Sequence, residues 1–144
     1  MSNVDLINES FFETKNIDVF QKVVDAFIQS GIYKKEDILC LKLVSEENIK
    51  AYNKKYRGKN SETDVLSFPS EFKESNFIGD IIIDVNVANQ QKDTRYLKDE
   101  LIVLFVHGVL HLLGFDHLRT NDKKNMQDLE NQILNTLKNE GVYC

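Results

Sequence analysis

The run KDELIVLFVHGVLHLL, residues 98–113, constrains this chain more than any other stretch. It is apolar at nearly every position from Leu101 onward, so a helix built from it has no polar side to turn towards water. Such a helix has to be central and buried. It is also too short to cross a bilayer, which takes about 20 consecutive apolar residues. Two histidines, His107 and His111, interrupt the run, and His117 follows it. The chain has only these three histidines, and all of them lie within HGVLHLLGFDH, residues 107–117.

Other segments supply elements to pack around that helix. NIDVFQKVVDAFIQSG (16–31) puts Val19, Phe20, Val23, Val24, Phe27 and Ile28 on one helical face, with Gly31 as the stop. DILCLKLV (37–44), TDVLSFP (63–69) and FIGDIIIDV (77–85) read as strands. Ser45 is placed to cap a helix that carries Ile49, Tyr52 and Tyr56 and ends at Gly58. Helical character returns near residue 86, and Met126, Leu129, Ile133 and Leu137 mark a last amphipathic helix over 121–139. The expected fold class is α/β (α+β): one small domain, 1–144, with a mixed sheet of the four-stranded type covered by helices.

Composition narrows the setting. Cys40 and Cys144 make no disulfide framework, and Cys40 reads as a small buried hydrophobe, which fits a reducing compartment. The opening MSNVDLINESFF has acidic residues and no basic-then-apolar leader, so no secretory signal is expected and the cytoplasm is the expected location. A net charge of −5 argues weakly against a generic nucleic-acid binder.

Spacing gives the histidines a chemistry. A helix turns about 100° per residue, which leaves His107 and His111 about 40° apart on one face. Gly114 is suited to a left-handed stop, after which a short return can bring His117 back to the same point. Three neutral imidazoles suit Zn(2+), one ion per chain, with a fourth position open for catalysis. Asp116 is a rival fourth ligand or a carboxylate that orients a ligand from behind. In the zincin pattern HExxH a glutamate follows the first histidine as general base; here that position is Gly108.

HGVLHLLGFDH resembles the HGxLHLxGxDH signature of the YbeY family of bacterial endoribonucleases. NKKYRGKNSETDVLSFP (53–69) and GDIIID (79–84) are similar to two further segments of that family, in the same order. Glu62 stands where the family usually has a proline. The resemblance implies a zinc-dependent, single-strand-specific endoribonuclease for small-subunit ribosomal RNA maturation and ribosome quality control. It implies His107, His111 and His117 as metal ligands, Arg57 as the functional arginine and Asp80 as the aspartate of the GDI strand. It further implies single-stranded or ribosomal RNA and the ribosome or its proteins as partners, with no membrane.

The residues fit such a substrate. KAYNKKYRGK (50–59) carries five basic residues and no acidic one in an otherwise acidic chain, a local field that attracts phosphate. Arg57 would neutralise charge on the scissile phosphate. Asp80 reads either as a group that orients water or Arg57, or as a strand-end turn residue. Water activated by zinc and the RNA 2′-OH both stand as nucleophiles. The competing functions are a zinc hydrolase of another class, peptidase-like, and a zinc-stabilised ribosome assembly factor that does not cut. If the basic run contacts RNA, log K should fall by about 0.7 per phosphate contact for each tenfold rise in salt. Replacing Lys54 and Lys55 by Gln should flatten that slope in a filter-binding titration; an unchanged slope would make these lysines a solvated face.

Overall fold

The computed structural model describes residues 2–13, 18–44, 65–72, 75–115 and 120–144. In chain order these form β1 (Val4–Asn8), α1 (Asp18–Gln29), β2 (Ile38–Val44), β3 (Val65–Pro69), β4 (Phe77–Asp84), α2 (Val85–Gln91), α3 (Leu97–Leu112) and α4 (Thr120–Asn139). The helix expected over 45–58 lies outside the described residues. The four strands make one mixed sheet in the order β1-β2-β4-β3. β1, β2 and β4 run parallel, and β3 pairs with β4 antiparallel. The mixed α/β class read from the sequence is the fold observed. β1 was not among the strands located there; VDLIN is short and opens a stretch otherwise rich in polar residues.

Strand alternation decides which side of the sheet each residue meets. Leu39, Leu41 and Leu43 of β2 and Ile81 and Ile83 of β4 are fully buried and join the main core with the helices. Cys40, Lys42, Asp80 and Ile82 fall on the other side, where Val44, Leu66 and Ile82 form a second, smaller cluster with Phe68 against it. Pro69 ends β3, an edge strand, where a missing N–H costs no ladder bond.

Helix α1 buries Val19, Phe20, Val23, Val24, Ala26 and Phe27. The Phe20 ring meets Phe105 of α3 edge-on at 5.3 Å between centroids, a favoured aromatic geometry. Helix α4 adds Met126, Ile133 and Leu137 to the same core.

Helix α3 is the buried centre its sequence demands: Leu101, Ile102, Phe105, Val106, Val109 and Leu110 have no exposed surface. Its first turn holds Asp99 and Glu100, carboxylates favoured by the positive end of the helix dipole. Glu100 is paired with Arg95, and Asp99 accepts from the backbone N–H of Cys144 at 3.4 Å. The helix stops at Gly114, whose φ of 99° needs no Cβ penalty. The N–H of Phe115 donates to the carbonyl of Leu110 at 3.1 Å and that of Gly114 to His111 at 3.0 Å, closing the last turn.

Two glycines let α3 lie unusually close to the sheet. A Cβ at Gly108 would stand 3.0 Å from Ile81 Cγ2 and 3.3 Å from Ser67 Oγ. A Cβ at Gly79 would stand 2.4 Å from the Phe68 carbonyl oxygen and 2.7 Å from Leu112 Cδ2. The β2–β4 register shifts there, passing from Ile38↔Phe77 to Leu39↔Gly79, and Gly79 takes a φ of 147°. Overpacking a core typically costs about 1–3 kcal/mol, and Gly79→Ala adds backbone strain to it. Gly31→Ala carries strain alone, because a Cβ there has nothing within 4 Å. Thermal unfolding should therefore show the larger loss for Gly79→Ala; equal losses would mean that the close approach is not what requires this glycine.

Candidate metal centre

His107 and His111 stand one helical turn apart on α3, and their rings come within 4.8 Å between centroids at an interplanar angle of 68°. Both are half-buried, unlike the core positions around them. The helix thus brings together two of the three predicted ligands on one face. His117, Asp116 and Arg57 lie outside the described residues. Among the described residues no group of three histidine, cysteine or acidic side chains converges. The donor chemistry of the described pair suits a borderline-soft divalent ion, since neutral imidazole nitrogens are its preferred partners together with thiolates.

The rigidity of this pair comes from its surroundings. Val106, Gly108, Val109 and Leu110 interleave with the histidines in sequence and are all buried, so the helix cannot turn about its axis without exposing core. The neighbouring helix contributes a residue that sequence reasoning missed. Glu130 of α4 brings Oε2 within 3.8 Å of His107 Nδ1, with side-chain exposures of 21% and 27%. The signal was faint: a carboxylate immediately after Leu129, bordering the apolar stripe of the last helix.

Asp80 is elsewhere. Its neighbours Gly79 and Ile81 face α3, so its own side chain emerges on the opposite side of the sheet. There it lines a cleft of about 540 Å³ with Cys40, Lys42, Phe68, Phe72 and Ile82. The structure does not bring Asp80 to the histidines; the sheet lies between them. The alternation of FIGDIIID carried this information, because an aspartate flanked by core-facing positions must point away from that core.

Asp80 instead meets Cys40, its register partner across the parallel β2–β4 ladder. Burial lifts the Asp80 carboxyl above the ordinary range, against the lowering effects of a hydrogen bond from Cys40 and the charge of Lys42. The Cys40 thiol is pushed up to about 11, first by burial and then by the negative charge of Asp80.

A family model described as endoribonuclease YbeY matches residues 5–138. A relative from Pelagibacter ubique named Endoribonuclease YbeY is 36% identical over 149 residues, covering 96% of this chain and 97% of the relative. One of the same name from Macrococcus caseolyticus is 35% identical, covering 94% and 95%. Among solved structures, the solution structure of a Thermotoga maritima protein superposes with a TM-score of 0.64 at 20% identity, over 96% of this chain and 94% of that one. That likeness supports the fold.

The Cys40–Asp80 pair makes a measurable forecast. With its pKa near 11, Cys40 carries almost no thiolate at neutral pH and should alkylate far more slowly than the exposed Cys144. Asp80→Asn removes the charge that opposes thiolate formation, so the Cys40 pKa should fall and its alkylation accelerate, read by peptide mass spectrometry. An unchanged Cys40 rate across a pH series would show that Asp80 exerts no field on it.

Proposed function

The chain belongs to the YbeY family of endoribonucleases, and from that membership we propose that it is a metal-dependent endoribonuclease of single-stranded RNA, working in ribosomal RNA maturation and ribosome quality control. In this reading residues 1–144 act as one catalytic domain in the cytoplasm, with ribosomal RNA as substrate and the ribosome or its proteins as partners. Among the described residues no helix is long and apolar enough to cross a membrane. The observation that carries the reading is the pair of half-buried imidazoles, 4.8 Å apart, on a helix fixed by its own core packing.

His107 and His111 would hold one zinc ion together with His117, the histidine that follows the glycine stop. Bound there, zinc supplies Lewis acidity next to the scissile phosphate. Arg57 would bind that phosphate through two parallel N–H donors and neutralise charge as it develops. The lysines at 50–59 would hold the flanking backbone, and their contribution is sequence-independent.

One observation separates this reading from a peptidase. Position 108, where a zincin carries its glutamate base, faces the sheet: even a single Cβ would press against Ile81 and Ser67. A glutamate has four more side-chain heavy atoms to place beyond that carbon, and Ile81 and Ser67 would have to give way to admit them. The position that would serve peptide hydrolysis is taken up by packing.

The deciding experiment is cleavage of single-stranded RNA by metal-defined protein, with and without chelator. Activity should require zinc, and His111→Ala should lose both the bound metal and the cleavage; zinc content unchanged in that variant would refute the ligand assignment. Arg57→Ala should keep its zinc and its circular dichroism while single-turnover cleavage falls by about 10²–10³, the usual worth of one fixed donor to a developing oxyanion. Arg57→Lys should recover only part of that loss. Wild-type cleavage by Arg57→Ala at saturating enzyme would remove arginine from the chemistry.

A further inference from the structure

We propose that Glu130 is a positioning residue for the metal centre: its carboxylate fixes the proton of His107 on Nδ1 and so presents Nε2 to the ion. The inference rests on the metal reading above and adds a residue from a different helix to it.

The geometry gives His107 two unlike sides. Its Nδ1 faces Glu130 Oε2 at 3.8 Å across the α3–α4 contact, while its ring meets that of His111 edge-on on the same helix. A neutral imidazole has one N–H and one bare nitrogen, and only the bare one can bind a metal. Which nitrogen carries the proton is set by the partner of the other. A carboxylate beside Nδ1 is a pure acceptor, so it favours the N–H there and leaves Nε2 bare. The separation is ion-pair range, and a side-chain adjustment of about 1 Å brings it to an ordinary N–H···O distance.

Charge points the same way. Three neutral imidazoles leave the full positive charge of a divalent ion uncompensated, and a half-buried carboxylate one residue behind a ligand offsets part of it in a setting that screens poorly. Glu130 is well held for that purpose. It lies between Met126 and Ile133 of α4, both buried in the main core, so the helix that carries it is anchored on either side of it.

Two measurements test the assignment. In metal-free protein at alkaline pH, nitrogen-15 correlation spectra of the histidine side chains should show His107 protonated at Nδ1, and Glu130→Ala should shift it towards the Nε2–H form. Wild-type His107 with its proton on Nε2 would overturn the proposal, whether or not the variant folds. Zinc affinity, read by competition with a chromophoric chelator, should fall about 10–100-fold in Glu130→Ala, the usual cost of removing a carboxylate behind a metal ligand. The near-isosteric Glu130→Gln, which keeps an acceptor but loses the charge, should fall in between. Affinity of Glu130→Ala within twofold of wild type would overturn the proposal. His111→Ala distinguishes the two layers: if it binds zinc as wild type does, the metal centre itself is misassigned, whereas the tautomer of His107 in the metal-free protein still decides whether Glu130 orients it.

Discussion

Everything in this fold that bears on function depends on how closely α3 can lie against the β3–β4 hairpin. An apolar helix gains from burial in proportion to the area it removes from water, and side chains of ordinary size would hold it off the sheet. Glycines on both partners remove that spacer. Gly108 lets the helix backbone settle over Ile81 and Ser67, and Gly79 admits Leu112 from the other side. The Ser67 hydroxyl then reaches the Gly108 carbonyl at 3.4 Å, a contact that a bulkier residue at 108 would prevent. Close packing of this kind does not slide, because interiors fill space at the density of organic crystals.

A helix fixed in rotation is what a site of converging imidazoles needs. His107 and His111 emerge at the rim of the buried surface, half-exposed where their neighbours are not. Their mutual geometry is therefore set by the core and not by the site. Gly114 completes the arrangement by ending the helix at the turn after His111, with its left-handed backbone. The strength of packing on one face and the openness of the other have a common origin in a sixteen-residue helix whose two histidines fall on one side.

Much of this was legible in the sequence, and the gaps have physical reasons. The burial of α3, the stripes of α1 and α4, the stop at Gly114 and three of the four strands all follow from periodicity and turn chemistry, which are local. β1 escaped because five residues with one alternation carry little signal until β2 offers them a partner. The histidine pair was readable because a helix fixes the i, i+4 relation by itself. Glu130 was not, since its meeting with His107 depends on how two helices pack. Asp80 depends on parity: strand alternation turns the aspartate of the GDI segment to the far face of the sheet, beside its register partner Cys40.

That far face matters for the electrostatics of an RNA enzyme. A chain with net charge −5 carries a net repulsion for a polyanion, and five of its 18 basic residues are concentrated in one ten-residue segment. On the proposed reading the acidic remainder would be an asset for orientation: phosphates would be drawn to that segment and discouraged elsewhere, narrowing the encounters that lead to productive docking. The sheet contributes by keeping its own charges apart. Asp80 is directed into a cleft with Lys42 beside it, so on the proposed reading this carboxylate would not oppose a phosphate held at the imidazole side. The same alternation that buries Ile81 against the helix thus turns Asp80 to the opposite side of the sheet.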